Sequence, residues 1–90
     1  MMFRVRWEEA ALNELATLWM EADSSERKAI TAAAEQIDQE LQADAYGLGE
    51  SRPGGRRVHY FHPLGFLFRV EEDEQTVSVL HLWRVRQRGE

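Results

Sequence analysis

Apolar and polar positions divide the chain into segments of two different periods. Phe3, Val5 and Trp7 alternate with Arg4 and Arg6, the period of two expected of a half-buried strand. Glu8 and Glu9 follow, where acidic side chains favour a first helical turn. Leu12, Leu15, Trp19 and Ala22, widened by Leu18, recur at helical spacing and predict a helix over residues 8–22. In Asp23-Ser24-Ser25-Glu26, Asp23 can accept the Glu26 N–H while Glu26 reaches back, a capping box that starts a second helix. Ile30, Ala33, Ala34, Ile37 and Leu41 carry that helix over residues 25–43, and its alanines should let the two helices pack closely as an antiparallel hairpin.

Period two returns in the second half. Residues 44–55 hold four glycines and Pro53, and read as one long irregular segment. A second strand is expected over residues 56–62 and a third over 65–71, joined by His62-Pro63-Leu64-Gly65. Proline fixes φ and glycine permits positive φ, so that tetrapeptide makes a turn. Residues 71–75 are a solvated tip, 76–84 a fourth strand, and 84–90 a short basic tail. The order β-α-α-β-β-β predicts a single α+β domain over residues 1–90, a helical hairpin on one face of a small, mostly antiparallel sheet. The alternation places Phe3, Val5, Trp7, Val58, Tyr60, Phe66, Phe68, Val70, Leu80 and Leu82 against the helices. Arg4, Arg6, Arg57, His59, Arg69, His81 and Trp83 fall on the opposite, more open face.

Composition narrows the chemistry. No apolar run approaches the length of a membrane span, and the N-terminus lacks a signal-peptide core, so a cytoplasmic protein is expected. The absence of cysteine excludes disulfides and thiolate catalysis. His59 and His62 have an odd spacing that puts them on opposite faces of a strand, and no His-x-x-x-His or His-Glu pair occurs, so no metal is expected. The glycine pairs lack a following helix and a Lys-Ser/Thr, so no phosphate loop and no cofactor is expected either.

A net charge of −5 argues against bulk affinity for nucleic acid. The charge is uneven, however. Residues 1–51 carry 4 basic and 11 acidic side chains, while residues 52–90 carry 7 basic and 5 acidic ones. All seven of the latter cations are arginines, which bind carboxylate or phosphate bidentately.

Three stretches carry a family resemblance: Val5-Arg6-Trp7-Glu8-Glu9-Ala10-Ala11-Leu12-Asn13-Glu14-Leu15, Arg56-Arg57-Val58-His59-Tyr60, and Val77-Ser78-Val79-Leu80-His81-Leu82-Trp83-Arg84 after the acidic tip. They are similar to the strand-then-helix opening, the basic entry to the meander and the basic-ended closing hairpin of the RelE/ParE superfamily of bacterial toxin–antitoxin toxins. The resemblance implies a growth-inhibiting toxin of plasmid-stabilisation type and a cognate antitoxin partner. It also implies one of two targets: DNA gyrase for ParE-like members, or mRNA on the ribosome for RelE-like endonucleases.

RNA cleavage needs positive charge on the developing phosphorane and a proton carrier. Arg57 and Arg84, with His59 and His81, are the candidate catalytic residues. No lysine follows Lys28 and no tyrosine follows Tyr60, so two features of RelE-like nucleases are missing. The structural alternatives are a salt bridge for Arg57, a strand histidine satisfied by a neighbour for His81, and a core position for Tyr60. Arg4, Arg6, Arg69 and Trp83 are the candidate partner-binding residues. A second reading is a non-toxic relative that keeps the fold as a protein-binding module.

Overall fold

The computed structural model describes residues 2–86. Its first half follows the periodicity: β1 (Arg4–Trp7), α1 (Glu9–Glu21) and α2 (Ser24–Asp44). The capping box forms as its sequence predicts. Asp23 Oδ1 accepts the Glu26 N–H at 2.8 Å, and Glu26 Oε1 accepts the Asp23 N–H at 3.3 Å. The second carboxylate oxygen of Glu26 meets the guanidinium of Arg84, so one side chain both starts α2 and ties it to the far end of the sheet. Glu26→Ala is expected to cost about 1 kcal/mol, the scale of a lost cap; a urea midpoint shared with the wild type would remove this double role.

The second half forms β2 (Glu50–Arg52), β3 (Arg56–Phe61), β4 (Leu64–Glu71) and β5 (Thr76–Arg84), with a single 3-10 turn, Glu72–Glu74, at the last tip. The five strands lie in the order β1-β5-β4-β3-β2. β1 runs parallel to β5 and the other pairs are antiparallel. No described helix is long and apolar enough to cross a membrane.

Several expectations are corrected. The irregular segment contains a strand, β2, whose exposed Glu-Ser-Arg sequence shows no alternation and which forms because the chain folds back on β3. The turn between β3 and β4 is His62–Pro63, with Leu64 already in the strand and buried. The faces of β3 are also reversed. Arg57 pairs with Phe68 and His59 with Phe66, so Arg57, His59 and Phe61 stand on the helix side. Arg56, Val58 and Tyr60 stand on the open side, and Tyr60 is 52% exposed. A one-residue slip moves a strand's whole side-chain set to the other face, and Phe66 and Phe68 in the core settle which set goes in.

A bulge produces a similar change on β5. Leu67 pairs with His81 but Phe68 pairs with Val79, leaving Leu80 as the extra residue. Val77 and Val79 before the bulge and Leu82 after it are therefore all buried, while Leu80 is half-buried. Ile30, Ala33, Ile37 and Leu41 of α2 complete this core together with Ala11 and Ala22. The α1 stripe is rotated from the expected one: Ala11, Leu15, Leu18 and Ala22 face inward, leaving Leu12 50% and Trp19 42% exposed.

Candidate functional site

The candidate catalytic side chains are dispersed by the strand registers. The Arg57 guanidinium fastens the loop that enters β2: Nε donates to Leu48 O at 2.8 Å, and the terminal nitrogens donate to Ser51 Oγ at 3.0 Å and Gly49 O at 2.9 Å. Its partners are carbonyl and hydroxyl oxygens, not a helix carboxylate. His59, two residues on, packs edge-on against Phe61 and Phe66, with centroids 4.9 and 6.1 Å away. His81 Nδ1 lies 3.1 Å from Glu14 Oε2, and Arg84 pairs with Glu26. No hydrogen bond or ion pair among the described residues joins any two of these four.

Glu14 carries a role that periodicity does not reveal. β1 stops pairing at Trp7, so beyond Val79 the outer edge of β5 has no strand beside it. Glu14 Oε1 accepts the Leu82 N–H at 2.8 Å and takes the place of a strand carbonyl there. Glu14→Ala is expected to cost about 2 kcal/mol, the scale of a charge-assisted bond to a partly buried donor. Faster amide exchange confined to Leu82 and its neighbours would report the loss.

Two apolar or cationic surfaces are uncovered among the described residues. The first is a groove of roughly 660 Å³ between the helices, walled by Leu12, Leu15 and Trp19 of α1 and by Ile30 and Ala34 of α2, with Trp7 also lining it. The alanines of α2 do not close the hairpin as expected, since Ala33 is buried in the core while Ala34 lines the groove. Arg27 lies outside the groove, against Trp19. Its guanidinium lies 4.3 Å from the centroid of Trp19 and donates to the carbonyls of Trp19 and Met20 at 2.8 and 3.2 Å, capping the end of α1. Glu35 and Asp38 give the α2 wall an acidic rim.

The second surface is the open face of the sheet. Cross-strand partners share a face, so the registers can be read as rows. One row runs Arg52, Arg56, Arg69, Ser78, Arg6 across all five strands. The next runs Glu50, Val58, Leu67, His81, and the one after it contains Tyr60, Gly65 and Trp83. Trp83 lies over Gly65: a Cβ on that glycine would stand 2.5 Å from the indole Nε1. Tyr60 meets Trp83 edge-on at 6.2 Å. Arg4, opposite Thr76, lies on the same face. Arg4, Arg6, Arg69 and Trp83 thus stand where the alternation puts them, whereas Arg57 and His59 do not. Arg52 and Arg56 join the row only through the pairing of β2, β3 and β4, which no local pattern shows.

Away from these surfaces, the Tyr46 phenol is pushed above its ordinary value by loss of solvent and then by the neighbouring Glu72 carboxylate. The described residues contain no group of three His, Asp or Glu side chains placed to hold a metal.

No protein-family model matches the sequence, and no curated protein matches it significantly. Solved structures do match the fold. A chain of the chromosomal ParDE toxin–antitoxin system of P. aeruginosa superposes with a TM-score of 0.75 at 24% identity, covering 94% of this chain and 98% of its own. A chain of the RelBE2 toxin–antitoxin complex of Mycobacterium tuberculosis gives 0.73 at 18% identity, covering 93% and 99%. A YoeB/ParE toxin of Agrobacterium tumefaciens gives 0.60 at 19% identity, covering 94% and 100%. The two helices on a five-stranded, mostly antiparallel sheet are therefore the RelE/ParE toxin fold, over nearly the whole length of this chain.

Proposed function

We propose that the chain is the toxin component of a type II toxin–antitoxin pair, inhibiting growth through a macromolecular target and neutralised by a cognate antitoxin. The observation that carries this reading is the groove between α1 and α2. It presents Leu12 and Trp19 to solvent beside Met20, on a chain of this fold. Exposed apolar patches of this kind mark protein interaction sites, and a groove between two helices accepts the apolar face of an amphipathic helix. The structures that share the fold include toxin–antitoxin complexes, which supports an antitoxin as the occupant.

Between the two targets, the side-chain geometry favours one engaged by binding, as with gyrase, over mRNA cleavage. Arg57, His81 and Arg84 already hold intramolecular partners, and His59 is packed among aromatic rings. The same observation supports the second reading, a protein-binding module without toxicity. Induction of the chain alone in a bacterial host should arrest growth, and co-expression of the adjacent short reading frame should restore it. Arrest with gyrase-linked DNA breaks, and without cleavage of ribosome-bound mRNA, is the expected pattern. Folded protein with no arrest would sink the toxin reading in favour of the module.

A further inference from the structure

The sheet ends in two edge strands, β1 and β2, which differ in what a second copy of the same strand would meet there. The direction of each peptide group follows from the registers. A two-residue turn joins Phe61 to Leu64, so that pair exchanges hydrogen bonds. Alternation then turns the peptide groups of Arg57 and His59 towards β4 and those of Arg56 and Val58 towards β2. On β2, therefore, Glu50 and Arg52 bond to β3, while the N–H and C=O of Ser51 point out of the sheet. Arg52 Nη1 donates to that outward carbonyl at 3.0 Å, and no hydrogen bond among the described residues takes up the Ser51 N–H.

The β2 edge is held in place from the helix side. Ser51 Oγ accepts from the Arg57 guanidinium, which also donates to the carbonyls of Leu48 and Gly49, so little ordering is left for a partner to impose. Glu50 and Arg52 both stand on the open face, opposite Val58 and Arg56. Among the described residues their ion pair is with each other, at 3.4 Å between exposed side chains. A surface pair of this kind contributes little and is readily exchanged for another.

We infer that two copies of the chain associate through β2, edge to edge and antiparallel, about a two-fold axis at Ser51. Each Ser51 N–H then donates to the Ser51 carbonyl of the other copy, and Glu50 of each copy stands directly opposite Arg52 of the other. Opposite charges facing across an antiparallel pair stabilise it, and like charges destabilise it. The second copy's carboxylate also reaches the end of the arginine row, where the chain's own register sets Arg52 against Arg56. Short, charged edge strands ordinarily resist pairing, and β1 does so. Arg4 and Glu8 donate inward to the carbonyls of Gln75 and Val79, so Val5 is the outward residue, and a two-fold there would set Arg4 against Arg6. The Phe3 N–H of that edge is already bonded to Gln42 O. On β2 the alternation of sign makes the strand complementary to itself, as an isologous contact requires. Three residues a side bury far less than the roughly 1,200 Å² of a stable complex, so the dimer is weak and depends on concentration. It leaves the groove between the helices uncovered, and the toxin reading does not enter into it.

Sedimentation of the full chain at concentrations up to about 1 mM should show a monomer–dimer equilibrium, and the Ser51 amide resonance should move as the dimer fills. E50R and R52E each place like charges across the two-fold and should weaken association at least about tenfold. An equimolar mixture of the two variants brings a basic edge to an acidic one and should dimerise where neither does alone. E50R/R52E, which exchanges the two charges, should restore self-association. Both positions are exposed, and circular dichroism matching the wild type checks that each variant is folded. A chain that stays monomeric throughout, a dimer indifferent to both single variants, as one formed through the helical groove would be, or a mixture of folded variants that fails to associate would each overturn the inference.

Discussion

Phe68→Ala is expected to lower the unfolding free energy by about 4 kcal/mol, the middle of the range for a phenylalanine deleted from a packed core. Phe68 has no solvent exposure and stacks on Phe66 at 5.5 Å. Its strand neighbours in register are Arg57 on β3 and Val79 on β5, on the face covered by the helices. It is placed beside the bulge, where the inward positions of β5 change parity, so surrounding side chains have little freedom to collapse into the space. A domain of this size has a total stability of about 5–15 kcal/mol, and at the lower end this single change would leave the chain largely unfolded. Urea denaturation followed by circular dichroism measures the loss. A loss under about 1 kcal/mol would mean that the sheet does not meet the helices through this row.

Gly49→Ala is expected to cost about 3 kcal/mol, with two causes acting at one position. Gly49 has φ of +75°, a conformation costly for any residue with a Cβ. Its added carbon would also stand 2.3 Å from the carbonyl oxygen of Val58, a backbone atom that cannot rotate away. The chain can avoid the clash by releasing β2 from β3, which sacrifices the pairing of Glu50–Arg52 and two of the bonds that hold Arg57. The change should therefore read out as rapid amide exchange along β2 and the facing part of β3, with the β4–β5 core still protected. Unchanged exchange at Val58 and its neighbours would sink the account of Arg57 as the fastening of this loop. Arg52 and Arg56 would lose their register with one another in the same variant.

Much of the architecture was legible because it depends on short-range regularities. The capping box is four consecutive residues, and both of its bonds form as read. The helical spacing from Leu12 to Leu41 locates two helices, since a stripe of apolar residues needs only a surface to lie against. It does not say which part of a wide stripe is covered. Leu12 and Trp19 belong to the same periodic pattern as Leu15 and Ala22, and only the placement of α1 beside β5 decides that Ala11 goes inside while Leu12 and Trp19 stay exposed.

The candidate site was less legible, for a related reason. Alternation along β3 shows two sets of side chains but carries no label for the buried one: Val58 and Tyr60 are as apolar as Phe61 with His59. Pairing with Phe66 and Phe68 breaks that near-symmetry and carries Arg57 and His59 to the helix side. Glu14 is one acid among several on α1, and its importance arises because β1 ends early and leaves the Leu82 N–H without a strand partner. The arginine row is a property of four registers at once.

What the sequence by itself determined is the order and types of every element except β2, the start of α2 and an uneven charge with arginine concentrated toward the C-terminal half. These follow from period, capping and composition, which are local along the chain. What only the tertiary structure decided is which arginines stand together, which candidate catalytic groups are already engaged, and that the helical hairpin stays open as a groove. Each of those depends on contacts between residues distant in sequence, where a shift of one position in a strand or a partial turn of a helix exchanges the buried set for the exposed one.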